Sequence, residues 1–271
     1  MLNGCIAVNG REDKARSHIS YSQIQTYLIC PQKYYYNYIL RVPVEMEPEA
    51  LVFGKHFHFA VSEFYRHWQK TGTKISLESL QEAFSEGWKE EPADIKFKNG
   101  NTYDTLREQA LSMLEIFHAA RAPKEVVAVE STFDIPLVDI ETGEVLSQTL
   151  KGSFDLVERD DEGDIVLVEL KTSGRAYSPG QIEYSIQPSL YLYALWNLEF
   201  LEAGAEGKIR YDVIVKSKQP KLQTLYTSRT SKQVQKAINL VKEVSRAIDL
   251  GVFYRLQGWQ CPDCQFRTIC E

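Results

Sequence analysis

The 271-residue sequence predicts an α/β fold with a helical N-terminal part, and three observations predict it. Apolar residues recur at helical spacing through roughly the first 120 positions; from residue 126 they switch to short β-branched runs parted by turn signals; beyond residue 181 helical and strand patterns alternate. With 44% hydrophobic and 25% charged residues the chain can bury a full core, which excludes the disordered and fibrous classes.

Ser20 followed three positions later by Gln23 reads as a capping box that opens a helix through Tyr21, Ile24, Tyr27 and Leu28. Pro31 then interrupts or restarts it. In LVFGKHFHFAVSEFYRHWQ, Phe53, Phe57, Ala60, Val61 and Phe64 line one helical face, and two further amphipathic segments follow near 77–90 and 103–120. VVAVESTFDIPLVDI, VLSQTLKGSFDLVE and DIVLVELKT read as three consecutive strands joined by the turn signals ETGE and RDDEGD. A helix is expected from about 181 to 201, strands in IRYDVIVK and LQTLYT, and a helix from about 231 to 250. No internal repeat or linker interrupts the sequence. Residues 1–19 therefore read as a tail and 20–271 as one domain, with a helical elaboration at about 51–121, an α/β core at about 126–250 and a cysteine-bearing tail at 251–271.

Lys and Arg number 31 against 37 Asp and Glu, a formal net charge of −6 that argues against indiscriminate coating of nucleic acid. Between residues 205 and 246, however, ten basic residues face three acidic ones, among them Lys216, Lys218 and Lys221. Such a segment fits a local positive face for a phosphate backbone, and equally a solvated helix and strand surface. Tyr34, Tyr35, Tyr36 and Tyr38 offer either stacking platforms for bases or packing. No apolar run reaches the roughly 18 residues of a membrane span, and MLNGCIAVNGRED lacks the basic and apolar regions of a signal peptide. The expectation is a soluble, intracellular, cytoplasmic protein with no membrane partner. Cys5, Cys30, Cys261, Cys264 and Cys270 are an odd number and do not suggest a disulfide framework. Three of them form C-x2-C-x5-C in CPDCQFRTIC, a spacing that admits zinc or an iron-sulfur cluster.

The chemistry-bearing residues lie in the middle strands. Asp155 ends GSFD, and fourteen positions later Glu169 and Lys171 sit two apart in VELKT, on one face of a strand whose Leu170 points to the other. An isolated E-x-K also fits the solvated face of an edge strand. VLVELKT is nearly continuous in apolar residues and reads as a central strand, where unpaired charge is costly. Phosphodiester hydrolysis needs this set: carboxylates for a hard divalent ion, a water made nucleophilic near neutral pH, and a fixed cation for charge developing on phosphate. Gln187 and Tyr191 are one helical turn apart, so an amide and a phenol share a face from which they can reach a nucleotide or Lys171; a tyrosine in a core stripe is the alternative.

GSFD, VELKT and Gln187-x3-Tyr191, in that order and on strand, strand and helix, resemble the PD-(D/E)-x-K nuclease superfamily, in particular its RecB-like exonuclease branch. Gly54-x3-His58 resembles the upstream G-x3-H element of that branch, and Glu130 in AVEST stands where an acidic residue often occurs on the first core strand. The resemblance runs from about Ser20 to Cys270; Phe154 departs from it, standing where the superfamily's name has proline. It implies a restriction-endonuclease-like core, a mixed central β-sheet flanked by helices, with a helical N-terminal elaboration and a C-terminal iron-sulfur staple. It further implies His58, Asp155, Glu169 and the Leu170 carbonyl as ligands of Mg2+ or Mn2+, Lys171 as catalytic cation, and Glu130 as either a second metal site or a structural carboxylate. Its neighbour His56 has the same residue type but no motif support, as do His18, His67 and His118.

Cys30-Pro31 before a run of tyrosines, with Cys261, Cys264 and Cys270 at the other end, resembles the iron-sulfur staple of AddB-type and CRISPR-associated exonucleases. That implies a 4Fe-4S cluster, ahead of zinc or free thiols, with Cys5 an unligated bystander. The implied function is metal-dependent cleavage of DNA, as an exonuclease on single-stranded ends, and the sequence leaves the pathway open among DNA repair, phage replication and CRISPR-associated adaptation. The alternative is a DNA-binding or assembly subunit of a larger complex in which nuclease activity is weak or lost. No G-x4-GK[ST] helicase signature occurs, so unwinding would come from a helicase or another DNA-processing partner.

Overall fold

In the computed structural model, which describes residues 17–89 and 94–270, the N-terminal part is helical. Strand β1 (His18–Ile19) leads into α1 (Tyr21–Ile29), α2 (Pro31–Tyr34) and a π-helical turn at Tyr35–Ile39; β2 (Glu47–Pro48), α3 (Glu49–Thr71), α4 (Leu77–Lys89), β3 (Ile95–Lys96) and α5 (Tyr103–Ala120) follow. Half of the expected capping box forms: Ser20 Oγ accepts the Gln23 N–H at 3.3 Å, while the Gln23 side-chain oxygen is buried without a partner. Cys30 is extended because Pro31 follows it, and Pro31 starts α2 from the first turn, where its missing N–H costs nothing. Cys5 and the first sixteen residues of the expected tail lie outside the described residues.

The second part is β4 (Glu125–Val138), β5 (Val145–Arg159), β6 (Ile165–Ser173), α6 (Pro179–Glu183), α7 (Gln187–Asn197), β7 (Gly207–Val215), β8 (Lys221–Arg229), α8 (Ser231–Asp249) and α9 (Arg267–Cys270). The main sheet runs β1-β5-β6-β7-β8 with β4 also on β5, and it is mixed: β1 with β5 and β6 with β7 are parallel, the other pairs antiparallel. Central β6 alternates between two cores. Ile165 and Leu167 join residues of α7 and α8, while Val166, Val168 and Leu170 join Phe53, Phe57 and Phe64 of α3 with the helices beside it. Among the described residues no helix is long and apolar enough to cross a membrane.

Two expectations need correction. The helix expected over 181–201 is two helices, because Pro188 opens α7 and the chain breaks between Tyr184 and Ile186. The break is fixed by Arg229, 2% exposed, whose Nη2 donates to the carbonyls of Ile182 and Glu183 at 2.7 and 3.0 Å. The basic segment is also not one face. Arg210 is buried with Glu158 and Asp212, and Asp212 is bonded in turn by Arg121. Lys208 pairs with Asp160 and Asp164, and Lys242 with Asp139 and Glu144. Each of these cations is matched by carboxylates, several of them from distant segments, so a charge count along the chain overstates the charge on any surface.

Candidate active site

The site is built at a fork in the sheet. The β5–β6 ladder runs from Arg159 opposite Ile165 to Leu156 opposite Val168 and ends there; beyond it β5 stays with β4, and β6 continues beside β7 to Ser173. Asp155 and Glu169 are the first residues past the last pair. Asp155 Oδ2 accepts the Leu170 N–H at 2.8 Å, so a carboxylate satisfies a backbone donor facing the fork. GSFD suits this place. Phe154 is fully buried against Phe133 and Tyr191, with ring centroids 4.9 and 5.5 Å away, so the aromatic standing in place of proline anchors the strand in the core. A Cβ on Gly152 would lie 2.5 Å from the Phe133 ring, which is why that position is glycine.

Glu169 is 4% exposed on the α7 side of β6. Its Oε1 accepts from Lys171 Nζ at 2.5 Å and from Gln187 Nε2 at 2.7 Å, while its Oε2 is buried with no hydrogen-bond partner. Burial, then the nearby Asp155 carboxylate, push the Glu169 carboxyl above its usual range, against the opposing pull of Lys171. Burial works against charge on Lys171, but Glu169 and Asp155 outweigh it and raise its pKa, so the ammonium persists.

On the other side α3 brings His58 to the fork, with Nδ1 3.6 Å from Asp155 Oδ1. Donor atoms of His58, Glu130 and Asp155 all lie within 4.8 Å of one another, the one such group of metal-ligating side chains among the described residues. Glu130 is held at φ +47°, an uncommon conformation for a residue with a Cβ, between the positions that pair with Phe154 and Leu156. Burial lowers the His58 pKa, but the neighbouring Asp155 carboxylate reverses this and leaves it raised. Burial and Asp155 raise that of Glu130. The donor set, one imidazole and two carboxylates beside an unpartnered Glu169 oxygen, fits a hard divalent cation. The same helix turns His56 into the core, 7% exposed and 5.9 Å from the Trp88 ring.

Other residues named from the sequence fall differently. Gln187 is 4% exposed and its Nε2 donates to Glu169 Oε1, so it orients that carboxylate, and its side chain also interacts with that of Tyr191 one turn on. Tyr191 packs its ring on Phe133 and Phe154. Lys216 is half-buried over the Phe53 ring at 4.6 Å, whereas Lys218 and Lys221 are exposed around the β7–β8 turn. Cys30, buried, and Cys261, Cys264 and Cys270 line one cavity of about 530 Å³, with Cys30 on one wall and the tail on the other. Sequence periodicity gave no hint of Ser185, whose Oγ accepts the Gln187 N–H at 3.3 Å. The available signal was Pro188, which marks a helix start and makes the serine three positions before it a capping candidate.

Gln187→Ala should therefore leave the fold intact but weaken divalent-metal binding by about 10- to 100-fold, the usual cost of losing a group that orients a ligand. A calorimetric Mn2+ titration checks it; parent affinity would detach Gln187 from the site.

Residues 18–271 match the family model of the PD-(D/E)XK nuclease superfamily. A crystal structure described as that of a candidate exonuclease from Eubacterium rectale is similar in fold, with a TM-score of 0.53 at 12% identity, over 98% of this chain and 93% of that one. The crystal structure of SSO0001 aligns over 96% of this chain and 87% of that one at 16% identity and a TM-score of 0.42. None of the curated proteins matches. With a match that spans all but the first 17 residues and a carboxylate-lysine fork at the centre of a mixed sheet, this chain belongs to the PD-(D/E)XK nuclease superfamily.

Proposed function

We propose that the protein is a metal-dependent deoxyribonuclease that hydrolyses phosphodiester bonds at single-stranded DNA ends. The observation that carries this reading is the convergence of His58, Glu130 and Asp155 within 4.8 Å beside the Glu169–Lys171 pair. His58, Glu130 and Asp155, with the free oxygen of Glu169, would hold Mg2+ or Mn2+. Such an ion activates water and offsets charge on the phosphate. Asp155 is held at the fork by the Leu170 N–H, and Gln187 fixes the carboxylate of Glu169. Lys171, kept as an ammonium by those carboxylates, is placed to donate to an oxygen on which negative charge grows. Lys218 and Lys221, at the same end of the sheet as Lys171, are positioned to meet the DNA backbone. The test is incubation with end-labelled single-stranded and duplex DNA, with and without Mg2+ or Mn2+. Stepwise shortening from an end supports the reading, internal fragments make it an endonuclease, and binding without cleavage favours an assembly subunit.

We further infer that residues 20–271 act as one RecB-like nuclease domain stapled by a 4Fe-4S cluster on Cys30, Cys261, Cys264 and Cys270. The reading is supported by the four thiols lining one cavity, in which Cys261 Sγ also accepts the Gly258 N–H at 3.4 Å. Among the described residues no three thiols approach as closely as the His58 group, which suits a wide cubane better than a single zinc with bonds of about 2.3 Å. The purified protein should be brown, with iron and sulfide in near-equal amounts. Serine at any of the four positions should lose iron and lower the melting temperature, because a ligand leaves the staple. Equimolar zinc without visible absorption would overturn it.

A further inference from the structure

One face of α3 is turned from the core, apart from the buried Ser62 along it, and leads into the metal-ligand group. Leu51, Lys55, Phe59, Ser62 and Arg66 follow one another at intervals of three or four residues and so form a stripe along the helix. The opposite face, with Val52, Phe53, Phe57 and Phe64, is buried. Leu51 is 63% and Phe59 49% exposed, although α3 is the longest helix described and packs the rest of its large apolar residues well. An aromatic ring left in water between two cations is a costly choice for a purely structural surface. The stripe borders an open groove of about 550 Å³, and His58 and Glu130 form its inner wall, so the groove and the metal-ligand group share two residues. Arg66 is aimed along the stripe by Nη1 bonds to Ser62 Oγ at 2.8 Å and Glu63 Oε1 at 2.7 Å.

We propose that this face of α3 seats the single-stranded DNA that enters the site, with Phe59 stacking on a base next to the scissile phosphate and Lys55 and Arg66 holding flanking phosphates. The proposal rests on the nuclease reading and goes beyond it by naming the path and the reason for strand preference. Stacking on an isolated side-chain ring requires an unstacked base, which a duplex does not offer. Alternating cation and aromatic positions match a strand whose phosphates and bases alternate, and the continuity with His58 and Glu130 points that strand at the metal.

The test measures fluorescence anisotropy of a short labelled oligothymidine and of a duplex, with Ca2+ as the divalent ion, for the parent, Phe59→Ala, Phe59→Tyr and Lys55→Gln. Phe59→Ala should weaken single-strand binding by about 5- to 100-fold, the range for one lost base stack, and leave duplex binding unchanged. Phe59→Tyr should bind as the parent does, which also shows that position 59 tolerates substitution. Lys55→Gln should lower the slope of affinity against salt by about one counterion. Parent affinity in Phe59→Ala, or an equal loss for the duplex, overturns the path. If the parent cleaves DNA with Mg2+ while Phe59→Ala binds normally, only the path fails; if the parent neither binds nor cleaves DNA, the nuclease reading fails with it.

Discussion

Lys171→Ala should yield a folded protein that still binds Mn2+ and DNA but cleaves about 10²- to 10³-fold more slowly, the cost of removing one preorganised group that stabilises transition-state charge. The structure gives this residue a second effect. Lys171 is one of two donors to Glu169 Oε1, so its loss leaves Gln187 alone to hold that carboxylate. Burial and Asp155 already favour protonated Glu169, and removing the ammonium strengthens that tendency. The pH at which cleavage reaches half its maximum should therefore move upward in Lys171→Ala. Asp155→Asn should fail differently. Its amide oxygen can still accept the Leu170 N–H, so the fork keeps its shape, but a hard anionic ligand is gone and metal affinity should fall first. Single-turnover cleavage beside calorimetric metal titration separates the two. Parent-rate cleavage by Lys171→Ala, or parent metal affinity in Asp155→Asn, would overturn these roles.

Arg210→Met should cost about 3 to 5 kcal/mol of stability, the usual consequence of leaving buried carboxylates without their cation. Arg210 is 7% exposed and bonds Glu158 and Asp212; Asp212 is fully buried and would keep only Arg121 and the longer contact with Thr224. Glu158 would fare worse, since its other oxygen already lacks a partner and burial raises its pKa. The shift in urea midpoint measures the loss, and an unchanged midpoint would show that the carboxylates find other partners. The salt dependence of DNA binding should not change, because this guanidinium is buried and already paired with two carboxylates. Read as part of a positive face, Arg210 would have made the opposite prediction: unchanged stability and a flatter salt slope.

Much of the architecture is written in local pattern. The switch from helical to strand periodicity near residue 126, the turns ETGE and RDDEGD and the proline after Cys30 mark elements by their own backbone preferences, and all act over a few residues. Asp155, Glu169 and Lys171 stand out as charged residues in otherwise apolar strands, whereas His58 could be named only through the resemblance of Gly54-x3-His58 to a family element, since His56 beside it has the same residue type. What the sequence could not decide depends on which segments meet. The break between α6 and α7 is secured by Arg229, more than forty residues downstream, and that break in turn aims Gln187 at Glu169. Arg210 and Arg229 look like surface charge in the sequence and are buried by strands and helices that pack over them. The fork itself arises because β5 leaves β6 to follow β4, a choice of partner made by the whole sheet, and only there do an imidazole from α3 and carboxylates from two strands come within reach of one ion. Local preference sets where a chain bends and which face it buries; the positions of charges relative to one another follow from packing, since burying a charge is tolerable only where a distant segment supplies its partner.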